Sequence, residues 1–119
     1  MNRIHELIED VYTQLGAGRR EKAYQVALAY ALNNIGITAS VEVSNPVYYY
    51  DVHVATAFID ILTATHVLEI KYVRKLTDIH RQQCQAYMRD KRRNGILINF
   101  GSHPPEVENL LYTNDGINE

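Results

Sequence analysis

The first third of the chain carries apolar residues at the three- and four-residue spacing of amphipathic helices. The spacing predicts a helix over residues 3–15, which Gly16 ends, and a second over about 20–34, which ends before Gly36. The apolar positions are Ile4, Leu7, Ile8, Val11, Tyr12 and Leu15 in the first helix, and Tyr24, Ala27, Leu28, Ala31 and Leu32 in the second.

From Ile37 the period shortens to two, and β-branched and aromatic residues become frequent, which predicts a meander of about three strands. A further helix and a short buried strand bounded by glycines follow. The predicted segments are strands at 41–54 with a break near Asn45-Pro46, at 57–63, at 67–73 and at 95–101, and a helix from 77 to about 92. The predicted order is therefore α-α-β-β-β-α-β.

Length and composition indicate how many domains the chain can form. With 119 residues, 46% of them hydrophobic, the chain can bury one core, and we expect a single domain over residues 1–112 followed by a flexible tail at 113–119. No apolar run reaches the roughly 18 residues of a membrane span, and the start of the chain is polar, so a soluble cytoplasmic protein is expected. The single cysteine, Cys84, excludes an intrachain disulfide and a cysteine-based zinc site.

The net charge of -2 hides an uneven distribution. Residues 71–93 carry eight Lys and Arg against Asp78 and Asp90, so this stretch is strongly basic and the rest of the chain is acidic. Such a band favours an anionic partner, most often nucleic acid. A solvated helix face with a basic last turn would give the same pattern.

Two acids interrupt apolar strand segments. Asp60 lies within Phe58-Ile59-Asp60-Ile61-Leu62, and Glu69 lies within a similar run that continues to Lys71. A hairpin symmetric about Ala64-Thr65 pairs residue 60 with residue 69, which puts the two Cβ atoms about 5 Å apart. Because side chains alternate along a strand, Lys71 shares the face of Glu69.

Two carboxylates this close repel, and a hard divalent cation such as Mg²⁺ resolves the repulsion by taking one oxygen from each. Such an ion polarises a phosphoryl oxygen and lowers the pKa of a bound water, while the Lys71 ammonium positions that water or stabilises negative charge. This chemistry suits phosphodiester hydrolysis. A salt-bridge trio of Lys71, Asp60 and Glu69 without a metal is the alternative interpretation.

Five motifs in order resemble the GxxExxY proteins of the PD-(D/E)xK nuclease superfamily, over roughly residues 8–112. The motifs are Gly18-Arg19-Arg20-Glu21-Lys22-Ala23-Tyr24, then Asp60, then Glu69-Ile70-Lys71, then His80-Arg81-Gln82-Gln83 with Tyr87, and finally Gly95-Ile96-Leu97-Ile98-Asn99-Phe100-Gly101. The resemblance implies an α/β restriction-endonuclease-like fold, with a central mixed β-sheet flanked by helices.

The resemblance also implies roles for individual residues. Asp60 and Glu69 would hold the metal, and Lys71 would assist the attacking water. Glu21 would complete or hydrogen-bond the metal shell, and Gln83 would support it from its helix. The chain departs from the family pattern at Arg19, where an aromatic residue is common, at Ile59, where the superfamily motif has Pro, and in the acidic segment 106–109, where a basic residue is usual.

We therefore expect a nuclease that depends on Mg²⁺ or Mn²⁺ and hydrolyses phosphodiester bonds in DNA, including branched or single-stranded DNA. Arg74, Lys75 and Arg81 would bind phosphates, and no membrane partner is expected. A homodimer is expected, since a small nuclease domain often needs a second copy to cut both strands. The alternatives are a Holliday junction resolvase-like dimer and an inactive nucleic-acid-binding module of the same fold.

Three aromatic residues in a row, Tyr48 to Tyr50, remain outside that site. Such residues can stack on bases. We expect instead that the outer two pack on the core, while the middle one lies on the opposite face or in a dimer interface. His80 and Tyr87 are expected to pack against the sheet from their helix, with their polar tips hydrogen-bonded.

Overall fold

A computed structural model describes residues 3–113 of the chain. Of the predicted tail at 113–119, only Thr113 falls within this range. The elements are α1 (Ile4–Leu15), α2 (Glu21–Asn34), β1 (Ser40–Tyr49), β2 (Val52–Leu62), β3 (His66–Lys71), α3 (Asp78–Lys91), β4 (Asn94–Asn99) and β5 (Glu106–Leu110). All three helices, β3 and β4 lie where the apolar spacing predicts them, with shifts of a few residues at their ends. The predicted strand at 41–54 is wrong in its extent, because the chain turns at residues 50–51 and β2 begins at Val52 rather than at residue 57.

The strands form one mixed sheet in the order β1-β2-β3-β4-β5. Only β3 and β4 are parallel, and the other neighbours are antiparallel. Parallel neighbours need a long crossover, and α3 supplies it between β3 and β4. The sheet with its flanking helices is the α/β architecture that the resemblance implies.

Helices cover both faces of the sheet and enclose two separate groups of buried side chains. α1 and α2 pack with Leu68 and Ile70 of β3, whereas α3 packs with Val67 of the same strand. Every residue of β3 from Val67 to Ile70 is buried, as expected for a strand covered on both sides. Within the described part of the chain, every helix is too short or too polar for a bilayer crossing.

The fifth strand is missing from the predicted order. β5 (Glu106–Leu110) pairs with β4 and forms the outer strand opposite β1. Its sequence Glu-Val-Glu-Asn-Leu carries only two apolar residues, and none of the five is fully buried. An outer strand that buries so little has too weak an apolar signal to be found by its period.

The predicted break at Asn45-Pro46 is also wrong. β1 continues through Pro46, which pairs with Thr56 of β2. Proline cannot donate to a backbone ladder, but among the strands of residues 3–113 β1 is outermost and has a partner on one side only. The position of the strand in the sheet therefore accommodates the proline.

Candidate active site

The pairing of β2 with β3 brings the two interrupting acids together. The pairs Ile61–Leu68 and Leu62–Val67 confirm the predicted register, and the next position along places Asp60 beside Glu69. At this position the side-chain carboxylates, rather than backbone carbonyls, accept hydrogen bonds from the opposite strand. The Asp60 amide donates to Glu69 Oε2 at 3.1 Å, and the Ile70 amide donates to Asp60 Oδ2 at 2.8 Å. Each acid is thus fixed by the backbone of the opposite strand.

Burial and mutual repulsion make this pair of acids hard to ionise. Glu69 is 3% exposed, and burial, followed by the charge of Asp60, raises its pKa to about 8. Burial also raises the pKa of Asp60, against the opposing effects of the Ile70 amide and the Lys71 ammonium. At neutral pH the pair therefore retains a proton unless a cation neutralises it.

Lys71 and Glu21 surround the pair with one charge of each sign. The Lys71 ammonium lowers the pKa of both acids, and the Glu21 carboxylate raises both. Glu21 begins α2 and accepts a hydrogen bond from the Tyr72 amide at 2.8 Å through Oε2. The structure therefore gathers the four predicted residues Glu21, Asp60, Glu69 and Lys71 around the end of β3.

The tyrosine of the GxxExxY motif fixes the start of α2 to the sheet. Tyr24 is fully buried, and its ring stacks on Phe100 and Tyr72 at centroid distances of 4.5 and 5.6 Å. Its hydroxyl donates to the Gly16 carbonyl at 2.6 Å and accepts from the Arg19 amide at 3.2 Å. These contacts hold the α1–α2 loop against the sheet and so place Glu21, one turn before Tyr24, beside the acids.

A second set of contacts fixes the segment that follows Lys71. Asn99, fully buried at the end of β4, accepts hydrogen bonds from the amides of Val73 and Gly101 at 2.9 and 2.8 Å. Its own amide donates to Glu106, which also accepts from the Leu76 amide. Gly101 permits this close approach, because a Cβ there would lie 2.2 Å from the Val73 carbonyl oxygen.

α3 covers the acids from the other side. Tyr87 and Cys84 are buried on its inner face. Burial first, and then the charges of Glu69 and Asp60, raises the pKa of both groups, that of the Cys84 thiol to about 12. The packing role expected of Tyr87 is confirmed, although the residue also borders the site. Gln83 lies one turn before Tyr87 and is exposed.

The predicted phosphate-binding residues have different surroundings. Arg74 and Lys75 are exposed and line an open groove of about 720 Å³ beside the α3 start. Arg81, in contrast, binds Glu108 through two hydrogen bonds of 2.7 and 2.9 Å and Asp78 through a third of 2.8 Å. The Arg81 guanidinium is therefore already neutralised within the chain.

His80 lines the same groove and caps its own helix. The Thr77 amide donates to His80 Nδ1 at 3.0 Å, so this nitrogen is the acceptor that caps the first turn of α3. The expectation that a polar atom of His80 is hydrogen-bonded is confirmed.

Comparison with known families agrees with this geometry. A family model described as the PD-(D/E)XK nuclease superfamily matches residues 1–110. The chain belongs to the PD-(D/E)XK nuclease superfamily. Its five-stranded mixed sheet between helices is the restriction-endonuclease-like fold of that superfamily. Searches among curated proteins and among solved structures found no match.

PD-(D/E)XK nucleases generally use divalent metal ions, and the donor set of this chain fits one. Asp60 and Glu69 each use one oxygen for a backbone amide, and within residues 3–113 no hydrogen bond reaches Asp60 Oδ1 or Glu69 Oε1. No group of three or more His, Cys, Asp and Glu side chains in that range is arranged to hold a metal. Mg²⁺ commonly binds through two carboxylates and completes its shell with water and substrate oxygens.

Sequence reasoning missed one residue that organises this candidate site. Asn99 is a polar residue inside the apolar run Gly-Ile-Leu-Ile-Asn-Phe-Gly, the same signal that drew attention to Asp60 and Glu69. A buried side-chain amide needs partners, and Asn99 finds them in Val73, Gly101 and Glu106. The bond to Val73 fixes the start of the segment that carries Arg74 and Lys75.

Proposed function

We propose that this chain is a Mg²⁺- or Mn²⁺-dependent nuclease that hydrolyses phosphodiester bonds in DNA. The observation that carries the proposal is the convergence of a buried carboxylate, Glu69, and a half-buried one, Asp60, next to the Lys71 ammonium at one end of β3. A stable fold gains nothing from burying two like charges, whereas a cation site requires them.

Each residue of the site has a role that follows from its position. Asp60 and Glu69 would hold the ion through their unbonded oxygens, and the bound ion would supply Lewis acidity toward a phosphoryl oxygen and water. Lys71 orients the attacking water or stabilises negative charge that develops on the phosphoryl oxygens. Glu21 holds the Tyr72 amide. It would also hydrogen-bond the water shell of a bound ion, and Gln83 would support that shell from α3.

DNA would enter along the groove beside the start of α3. Arg74 and Lys75 would contact its phosphates, since both are exposed and the segment between Val73 and Leu76 is fixed by Asn99 and Glu106. A phosphate contact from Arg81 would require the guanidinium to leave Glu108. We therefore propose Arg74 and Lys75 as the principal cations and Arg81 as a secondary one.

We also propose that the chain belongs to the GxxExxY group within the superfamily. Support comes from the linked positions of its motif residues. The Gly18 amide donates to the Tyr72 hydroxyl at 2.6 Å, Glu21 binds the Tyr72 amide, and Tyr24 stacks on the Tyr72 ring. All three motif residues act on the residue that follows Lys71.

The test is a cleavage assay with labelled linear duplex, single-stranded DNA and a four-way junction, each in Mg²⁺, Mn²⁺ or chelator. We expect cleavage with metal only, and its loss in Asp60→Asn and in Lys71→Ala. Asp51→Asn is the matched control, because it removes the same kind of charge from the exposed turn between β1 and β2, at the opposite end of β2 from Asp60. Undiminished cleavage by both site variants contradicts the assignment.

The substrate panel also separates the alternatives. Selective cutting of the junction would identify a resolvase-like enzyme. Titration calorimetry identifies an inactive binding module, which would bind DNA but take up no Mg²⁺ or Mn²⁺.

A further inference from the structure

The hairpin of β1 and β2 extends away from the two cores as an arm, which we define as residues 44–58. The prediction that Tyr48 and Tyr50 pack on the core is wrong: Tyr48, Tyr49 and Tyr50 are 58%, 67% and 86% exposed. The triplet lies at the tip of the hairpin, where no core is within reach.

One face of this arm is mostly apolar, with Ser44 and Thr56 as its polar members. The pairs Tyr49–Val52, Pro46–Thr56 and Ser44–Phe58 show which residues share it, and alternation adds Val54. Tyr49, Val52, Val54 and Phe58 are each more than half exposed. We call these four residues, with Pro46, the arm face. The opposite face is different, because Ala57 and Ile59 there pack against the core under α3.

Charge argues against nucleic acid as the occupant of the arm face. Residues 40–58 contain Glu42 and Asp51 but no Lys or Arg. Surfaces that bind DNA or RNA are basic, because phosphates dominate the affinity. An arm with exposed tyrosines and without Lys or Arg is suited to protein, and the basic groove lies elsewhere, beside α3.

The backbone of β1 argues against the addition of a further strand at its free edge. Pro46 lacks a donor, the register with β2 shifts between Val47 and Tyr48, and Glu42 has a φ of 50°. Prolines and bulges on an outer strand are features that prevent edge-to-edge pairing. An occupant must therefore pack on the face of the arm rather than extend the sheet.

We propose that the arm face packs against the arm face of a second copy of this chain, around a two-fold axis. Exposed fractions of this size correspond to roughly 500 Å² of apolar side chain on each copy, the upper end of what monomers expose. Doubled by symmetry, this reaches the ~1,000 Å² that a specific interface needs. Wherever the protein is concentrated enough for this apolar face to aggregate, other copies of the chain are available to cover it.

The proposal gives the dimer expected from the sequence a defined surface, and it rests on the arm alone, not on nuclease activity. The test is sedimentation velocity of the full chain over about 1 to 100 µM, the range of moderate affinities. We expect a species of twice 13.7 kDa for the wild type. Val54→Glu should shift the midpoint of association at least tenfold upward.

Ile79→Glu is the matched control, since Ile79 is an apolar residue of 75% exposure on α3, away from the arm. Circular dichroism and thermal unfolding report whether Val54→Glu folds. Hydrogen exchange gives an independent measurement: the wild-type amides of residues 44–58 should be protected as concentration rises.

Three results would overturn the proposal. The first is a wild-type monomer across the whole range, and the second is a Val54→Glu variant that dimerises like the wild type. The third is a monomer that binds zwitterionic vesicles through the arm face, which would make a lipid surface the occupant.

Discussion

The two halves of β2 lie in opposite environments. From Ile59 to Leu62 the strand lies between the two cores and carries a charged residue, Asp60, where an apolar one would be expected. From Val52 to Thr56 it is exposed to solvent, and with Phe58 it carries apolar residues where polar ones would be expected. Each half departs from the burial rule in the opposite sense, and we assign each departure a binding role.

Asp60 is also where the strand changes its surroundings. Ile59 packs under α3, whereas Ile61 packs under α1 and α2, although residues two apart normally share a face. The pairing of β1 with β2 includes residues on both sides of Asp60, and Glu42 opposite has a positive φ. The backbone therefore twists sharply at Asp60 and turns its carboxylate toward β3.

The largest expected difference between the two halves is in folding stability. Ile61→Ala removes a fully buried side chain and should lower the free energy of unfolding by about 2 to 5 kcal/mol. Val54→Ala, at 56% exposure, should cost the monomer under about 0.5 kcal/mol. Urea unfolding at a concentration where the chain is monomeric measures both, and equal costs would contradict the division of β2.

A substitution at the acids should lower the cleavage rate without lowering folding stability. Glu69→Gln keeps an oxygen for the Asp60 amide but removes one ligand charge, so cleavage should fall at least roughly 100-fold. The melting temperature in chelator at neutral pH should not fall, because Glu69, with a pKa of about 8, is mostly protonated there and Gln is a neutral side chain of the same size. Asp51→Asn on the arm serves as the control, and a cleavage rate for Glu69→Gln within a few-fold of the wild type would remove Glu69 from the site.

The site half should also make stability depend on pH. The folded pKa of Glu69, about 8, exceeds its ordinary value of 4.5, so between these values the folded chain binds more protons than the unfolded chain. Without metal, the free energy of unfolding should therefore fall as pH rises from 4.5 toward 8, by up to about 1.4 kcal/mol per unit.

Chemical denaturation of wild type and Glu69→Gln at several pH values measures this effect. The slope that belongs to Glu69 should disappear in the variant. Adding Mg²⁺ to the wild type should raise stability most at the alkaline end, where the carboxylates are ionised. An identical pH profile in both proteins would show that Glu69 titrates normally.

The smallest expected effect concerns DNA affinity. Changing Arg74 and Lys75 together to Ala should reduce the slope of log affinity against log salt by about 2 and weaken binding by roughly tenfold. Arg81→Gln should change the slope less, because its charge is already neutralised by Glu108 and Asp78. Val54→Glu should leave the slope unchanged if the arm makes no phosphate contact. Fluorescence anisotropy with labelled DNA in chelator measures all of these.

The sequence predicts the site half of β2 better than the arm half for a physical reason. The register that pairs Asp60 with Glu69 follows from a short turn, which leaves little freedom. Whether Tyr48 and Tyr50 reach a core depends on how far the hairpin extends past the helices, which no local pattern encodes. The same limitation hides β5, whose outer position leaves it few apolar residues.

The partners of individual residues divide in the same way. Arg81 is neutralised by Glu108, which lies 27 positions further along the chain on β5. The sequence does not show this contact, so the charge of Arg81 alone overstates how free it is to bind phosphate. The grouping of Glu21 with the acids was foreseeable from its place on α2, but the hydrogen bond that fixes it to the Tyr72 amide was not.

The connection from Lys71 to α3 has a fixed length. Glu21 binds the Tyr72 amide, Asn99 binds the Val73 amide and Glu106 binds the Leu76 amide. Three distant parts of the chain therefore fix both ends of the five-residue segment 72–76. An insertion or deletion there would move Arg74 and Lys75 by about 3.3 Å per residue relative to the acids. New substrate preferences in such a protein would therefore have to arise by exchanging side chains along this connection, never by lengthening it.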